Sequence, residues 1–183
     1  MQGIEVWIGL GSNLSKPAYQ LELALTALQK LAKEGALCCS SFYLSKALLA
    51  DKANEASGQQ PDYVNAVVRF QTTLLPHDLL LQLQLIEATQ GRVRDDAQPR
   101  WSPRTLDLDL LLYGKQQIDT PTLTVPHPGI RLREFVLYPM AELSSTLEIP
   151  GLGRLKKWVE RCPRRGMEIL NKRSEEPRVE SAS

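Results

Sequence analysis

Histidine and cysteine are scarce in this chain. With only two histidines, His77 and His127, and three cysteines, Cys38, Cys39 and Cys162, there is no ligand set for a structural zinc and no disulfide framework. A reducing compartment is expected. Net charge is nearly absent too: 22 Lys and Arg against 21 Asp and Glu leave +1 at pH 7. No global field draws the chain to nucleic acid or to an anionic membrane, so any anion site must come from local clustering. No apolar run approaches the ~20 residues of a membrane span, and the opening MQGIEVWIGL carries an acid where a secretory leader carries basic residues. The expectation is a cytosolic, monomeric protein with neither a membrane nor a nucleic-acid partner. A P-loop and a three-glycine dinucleotide turn are both missing, and no internal repeat is present.

What is there suits one folded unit. A chain of 183 residues with 43% hydrophobic side chains builds a single domain with a real core, expected over residues 1–163 and followed by a charged tail, 164–183, whose last ten residues read as disordered. Ile4 to Leu10 reads as a buried strand that turns at Gly9, Gly11, Ser12 and Asn13. Pro17 opens a helix from about Ala18 to Lys33, with Leu21, Leu25, Leu28 and Leu31 inward. Leu37 to Leu44 is a second strand, and the long polar run Ser45 to Gln60 reads as a flap. Val64 to Thr72 follows as a strand with Tyr63, Asn65, Val67 and Arg69 on one face. Tyr63 offers a stacking surface and Asn65 an amide for a planar heterocycle, though a capped strand start explains the pair equally well. Pro76 opens a second helix with Leu79, Leu80, Leu83 and Ile86 inward, stopping at Gly91. Glu87 leans toward that apolar side and needs a cationic or metal-linked partner, unless it is a boundary glutamate that snorkels out to solvent. A small hairpin over Gln116 to Thr120, a short element at Phe135 to Leu143 and a last helix at Leu155 to Arg161 complete the pattern.

The chemistry concentrates between Arg92 and Leu111. Leu106, Leu108 and Leu110 alternate with Thr105, Asp107 and Asp109, which sends the leucines to the core and both carboxylates to the opposite face. Residues two apart on a strand lie about 6.5–7 Å apart, close enough to share hard cations such as Mg²⁺. The spacing alone fits a solvated strand face as well. Arg92, Arg94, Arg100 and Arg104 tip the balance, because guanidinium groups beside a metal-binding carboxylate pair are what a polyphosphate requires. This loop has no apolar stripe, so it is expected to close only over bound ligand. Further on, two prolines fix the backbone around His127, near Arg131, Arg133 and Phe135, where phosphate binding is at least as good an explanation as a structural histidine.

The runs IGLGSNL, QPDYVNAVV, IEATQGRVR, RWSPRTLDLDLLLYG and LTVPHPGIRLREFVLYP, in this order over roughly residues 4–142, resemble the 6-hydroxymethyl-7,8-dihydropterin pyrophosphokinases of folate biosynthesis. The resemblance implies an α+β fold with a ferredoxin-like core, a mainly antiparallel sheet flanked by helices as a three-layer α/β/α sandwich. It implies ATP as co-substrate, two Mg²⁺ ions, and transfer of the pyrophosphoryl group to the pterin's hydroxymethyl oxygen with release of AMP. Carried over residue by residue, it puts Asp107 and Asp109 on the metals and Arg92 and Arg104 on the transferring group. Gln84, Glu87, Arg94, Leu110, His127 and Arg133 fall on the ATP side, and Tyr63, Asn65, Trp101 and Phe135 on the pterin, with Trp101 and Phe135 sandwiching the ring. Ser45, Lys46 and Ala47 stand where the family often has Thr-Pro-Pro, the flap before Pro61 is longer than usual, and the arginine loop is slightly extended.

Two other classes share parts of this pattern. A nucleotidyltransferase also combines a Gly-Ser turn with an Asp-x-Asp strand, but those elements normally lie close in sequence, unlike Gly11 and Asp107. An RNA-binding module on the same topology would carry aromatic strand motifs and net positive charge, and this chain has neither.

Overall fold

Alternating aliphatic residues set the sheet. The computed structural model describes residues 2–46, 61–92 and 104–171, and its central strand is β1, Ile4–Ser12. Val6, Ile8 and Leu10 are buried on one face, while Trp7, Gly9 and Gly11 take the other by alternation. The strand runs past the turn expected at its glycines. Gly9 and Gly11 stay in the ladder, opposite Val67 and Asn65 on one side and Asp109 and Asp107 on the other. Backbone pairing on both sides holds the chain extended where glycine alone would have let it turn.

Helix α1, Pro17–Gln29, begins at the expected proline but stops short of Lys33. The Lys30 and Leu31 amides reach back only three residues, to Ala27 and Leu28, and a 3₁₀ turn over Lys33–Gly35 follows. The strand expected over Leu37 to Leu44 is two pieces, β2 (Leu37–Cys39) and β3 (Phe42–Ser45), both paired with β4 (Tyr63–Thr72). Ser40 causes the break. Its amide donates to the Val67 carbonyl at 2.9 Å, but its hydroxyl, not its carbonyl, accepts from the Val67 amide at 3.0 Å. The Ser41 amide turns away to the Glu142 carboxylate at 2.9 Å.

Helix α2, Pro76–Thr89, buries Leu79, Leu83 and Ile86 as expected, with Leu80 half-buried. It leads to β5, Asp107–Tyr113, antiparallel to β1. Counting β2 and β3 as one interrupted strand, the spatial order β3–β4–β1–β5 with helical crossings by α1 and α2 is the ferredoxin-like arrangement expected. A register shift opposite Trp7 and Ile8 inserts Leu111 into β5, so that Leu110 packs with α1 and α2 and Leu111 with the opposite layer.

That opposite layer contains two short hairpins, β6 (Ile118–Asp119) with β7 (Thr124–Val125) and β8 (Glu148–Ile149) with β9 (Gly153–Arg154). Its helices are α3, Glu134–Leu143, and α4, Leu155–Arg161. Val136, Leu137, Met140 and Leu143 of α3 and Leu155 of α4 pack on Trp7, Val67 and Leu111, completing the three layers. The sheet also passes the boundary expected at residue 163: β10, Glu168–Asn171, pairs with β3 as an edge strand. The lead-in is tied down by the Arg165 amide on Glu134 at 2.7 Å and by the Arg164 guanidinium 4.7 Å from the Tyr138 ring. Among the described residues, no helix is long and apolar enough to cross a membrane.

The core on the α1–α2 side should be the stability reserve. Leu83 is fully buried and Leu81 is 61% exposed on the same helix. Leu83→Ala is expected to cost about 3 kcal/mol and to lower the thermal midpoint by roughly 6–12 °C. Leu81→Ala should stay within about 0.5 kcal/mol, as measured by denaturant titration of both variants.

Candidate active site

Glycine makes the floor of the site. A β-carbon on Gly11 would lie 3.2 Å from Asn65 Oδ1 and 3.9 Å from Tyr63 Cδ1, and one on Gly9 would meet Leu111 at 3.5 Å. Without those carbons the sheet face between Asn65 on β4 and Asp107 and Asp109 on β5 carries backbone only. Toward the other end of the strand the same face is filled by Trp7, Val67 and Leu111 under α3. This part of the face, buried at Gly9, Gly11 and Asn65 and partly exposed at Asp107 and Asp109, is where the polar residues gather.

Asp107 and Asp109 project from this face with a quarter to a third of their side chains exposed. Asp107 is held by two arginines: Arg104 Nη1 donates to Oδ2 at 2.9 Å and Arg92 Nη1 to Oδ1. Asp109 accepts from Arg133 Nη1 at 3.3 Å, and His127 Nε2 lies 3.9 Å from its Oδ1. Because His127 Nδ1 accepts the Gly129 amide at 3.0 Å, the neutral ring carries its proton on Nε2, facing the carboxylate. Gly129 also gives Arg133 passage, since a β-carbon there would lie 2.7 Å from Arg133 Nε.

Glu87 has the cationic partner its position demanded. It is 1% exposed at the end of α2, and its Oε1 accepts both Arg92 Nη1 and the Leu108 amide, the latter at 2.7 Å. Burial works against the charge of Arg92, but Asp107 and Glu87 overcome it and raise the guanidinium above its ordinary value. For Asp109, burial and then the Asp107 charge push the carboxyl up, more than His127 and Arg133 pull it down. Burial likewise raises the Tyr63 hydroxyl.

The structure thus brings together Tyr63, Asn65, Glu87, Arg92, Arg104, Asp107, Asp109, His127 and Arg133. Phe135 is half-buried at the start of α3 with the Arg133 guanidinium 6.0 Å from its ring, and Gln84 is half-buried on α2. Leu110 points its side chain into the α1–α2 core, leaving only its backbone toward the site face. Arg94, Arg100, Trp101 and the flap between residues 47 and 60 lie outside the described residues.

Two contributors escaped the sequence reading. Asn13 is buried, accepts the Arg104 amide on Oδ1 at 2.9 Å and donates from Nδ2 to the Pro61 carbonyl at 3.3 Å. Ser45 Oγ accepts from Asn65 Nδ2 at 2.9 Å. A Gly-Ser-Asn run is too common for Asn13 to stand out, and Ser45 became visible only once β3 was paired with β4.

The family model described as 7,8-dihydro-6-hydroxymethylpterin-pyrophosphokinase matches residues 7–145. The 2-amino-4-hydroxy-6-hydroxymethyldihydropteridine pyrophosphokinase of Pseudomonas aeruginosa is 44% identical over 165 residues, covering 90% of this chain and 96% of that protein. The Haemophilus influenzae protein of the same name is 47% identical over 147 residues, covering 80% and 86%. Among solved structures, an HPPK-DHPS in complex with substrates is similar with a TM-score of 0.71 at 12% identity, covering 97% of this chain and 48% of that one. Wild-type HPPK-DHPS of Plasmodium falciparum with pteroate gives 0.68 at 13%, covering 87% and 42%. This chain spans about half the length of those two chains, and their likeness at such identities concerns the fold alone.

The two aspartates should respond oppositely to neutralisation in metal-free protein. A folded-state carboxyl raised above its unfolded value costs stability once ionised, and that cost fades as pH falls through the folded value. Asp109→Asn is therefore expected to raise the thermal midpoint at pH 7, with the gain shrinking in acid. Asp107→Asn strips a partner from Arg92 and Arg104 and should lower it. Melting curves from pH 4 to 8 in the presence of a chelator check both signs, and a lowered midpoint for Asp109→Asn at pH 7 would contradict the cost of ionising Asp109 in the fold.

Proposed function

The chain belongs to the 7,8-dihydro-6-hydroxymethylpterin pyrophosphokinase family, and on that premise we propose how its residues divide the work of moving the pyrophosphoryl group of ATP to 6-hydroxymethyl-7,8-dihydropterin. The observation that carries the proposal is the pairing of Asp107 and Asp109, on one face of β5, with arginines arriving from three separate places in the chain. That is a site for a metal-bound polyphosphate.

The residues fit Mg²⁺. The donors are hard carboxylate oxygens, and the Asp109 carboxyl, raised by burial and by the Asp107 charge, is one whose ionised form a divalent cation stabilises. Among the described residues, no group of three or more His, Cys, Asp or Glu forms a metal cage, which suits an ion held by one or two carboxylates plus substrate phosphates and water. Asp107 and Asp109 would hold two such ions, whose chemistry is to neutralise and orient the phosphates.

The chain's own groups do the rest by position and charge. Arg92 and Arg104 follow the oxygens of the transferring group, while Arg133 and His127 hold the nucleotide phosphates, with Gln84, Arg94 and the Leu110 backbone on the same side. The Asn65 amide, oriented by Ser45, meets the polar edge of the pterin over the Gly11 floor. Tyr63, Phe135 and Trp101 bound its ring. The hydroxymethyl oxygen forms a bond to the β-phosphorus as the bond from that phosphorus to the α,β-bridging oxygen breaks. AMP leaves with the bridging oxygen, and the hydroxyl proton passes to solvent. In-line positioning suffices, and no covalent enzyme intermediate is required. We place the enzyme in the cytosol as a monomer, in keeping with a sequence of only three cysteines and a net charge of +1.

Two outcomes test this reading. Incubation with ATP, Mg²⁺ and the reduced pterin alcohol should yield AMP and the pterin diphosphate by chromatography, and ADP as the main pterin-dependent nucleotide would overturn it. Gly11→Ala should fold, since alanine in a strand is favoured over glycine by up to about 1 kcal/mol. It should also displace the Asn65 amide and weaken pterin binding about tenfold, the loss of one good hydrogen bond, by calorimetry. Unchanged pterin affinity would remove the glycine floor from the site.

A further inference from the structure

Glu87 stands apart from the other carboxylates of the site. At 1% exposure, with its Oε1 taken up by the protein, it stands behind the site and not among the ATP contacts expected for it, and it touches two parts of the machinery at once. Its Oε1 accepts the amide of Leu108, the residue between the two aspartates, and accepts the same Arg92 nitrogen that donates to Asp107. Among the described residues, the ion pairs around β5 set Glu87, Asp107 and Asp109 against Arg92, Arg104 and Arg133, with His127 beside Asp109.

We propose that Glu87 is a positioning residue that sets the charge balance of the site, dividing Arg92 between itself and Asp107 so that Asp107 stays available to a divalent cation. The proposal rests on reading the site as one for a metal-bound triphosphate. A guanidinium between two carboxylates is held by both and belongs wholly to neither. Remove the charge on Glu87 and Asp107 becomes the carboxylate that holds Arg92, while the site becomes more positive by one charge. A divalent cation is then opposed, by a tighter ion pair to displace and by the added field. A bare triphosphate is attracted by the same change. The two ligand affinities must move in opposite directions. A glutamate that merely props the fold would move both the same way or neither.

Glu87→Gln keeps the shape and an oxygen acceptor for the Leu108 amide while removing the charge. Mn²⁺ is the probe for the cation, read from its free signal by electron paramagnetic resonance, and ATP in excess chelator is the probe for the anion, read by calorimetry. With the full-length protein, Glu87→Gln is expected to weaken Mn²⁺ binding and to tighten metal-free ATP, each by roughly five- to tenfold. Glu87→Asp, which keeps the charge, should return Mn²⁺ binding toward wild type. Arg92→Gln makes the opposite charge change and should tighten Mn²⁺, and it decides the matter if melting shows that Glu87→Gln does not fold. Equal weakening of both ligands by folded Glu87→Gln, or weaker Mn²⁺ binding by Arg92→Gln, would overturn the role of Glu87 and leave the function intact. A wild-type protein that bound neither Mn²⁺ nor ATP would overturn the reading of the site, and this role with it.

Discussion

Two carboxylates fixed two residues apart on one strand face repel each other, and the rest of the site answers that repulsion. β5 cannot relax it, because Leu108 and Leu110 anchor the strand in the α1–α2 core and hold the aspartates on the opposite side. The positive charge that compensates them comes from separate places: Arg92 just past α2, Arg104 just before β5, and Arg133 just before α3. Packing of those elements therefore sets the electrostatics of the site, and the electrostatics in turn hold the ends of those elements in place. The raised carboxyl of Asp109 is what burial first, and the Asp107 charge second, leave uncompensated. Stability withheld there is consistent with a site that is completed by ligand rather than by the chain alone.

The sheet serves as core and as floor of the candidate site along one and the same face. At Trp7, Val67 and Leu111 it is covered by α3 and is as dry as any interior. Two residues further along β1, alternation places Gly9 on that face, then Gly11, both buried yet without side chains of their own. No chain reversal is needed to make a cleft; the side chains simply stop. Gly11 acts here through what it omits, because Asn65 and Asp107 sit directly across the ladder from it and a β-carbon there would press on the Asn65 amide.

Those two glycines also show where sequence reasoning reached its limit. Their conformational freedom argued for a turn after Leu10, but a strand paired on both sides overrides local preference, and only the tertiary structure supplies the second partner. The break between β2 and β3 was hidden for a related reason: a serine hydroxyl standing in for a carbonyl leaves no mark in a hydrophobic pattern. β10 was lost in a run of charges, since an edge strand needs hydrogen bonds to β3 more than it needs an apolar face; Ile169 and Leu170 remain half exposed. By contrast the aspartates, the demand of Glu87 for a cation, the limits of α4 and the shared face of Tyr63, Asn65, Val67 and Arg69 were all legible. Each follows from a period of two or 3.6, or from the cost of burying a charge without a partner, and neither depends on what lies far away in sequence. The family motifs added the reaction, which no periodicity contains.

Asn13 joins these threads. Its side chain accepts the amide of Arg104 and donates to the carbonyl of Pro61, and its own amide donates to the Arg104 carbonyl at 3.2 Å. Pro61 leads into Tyr63 and Asn65, and Arg104 leads into Asp107. One buried amide at the end of the central strand thus fixes where both flanking strands enter the site, across 48 and 91 residues of sequence. The proposed pterin side and the proposed phosphate side are consequently referenced to the same point on β1. That is a requirement of any reaction in which an alcohol on one substrate must line up with a phosphorus on the other to within a fraction of an ångström. Side chains on two loops with independent anchors would accumulate positional error from each. Here the errors are shared, and the distance between the two halves of the site is set by the spacing of adjacent strands.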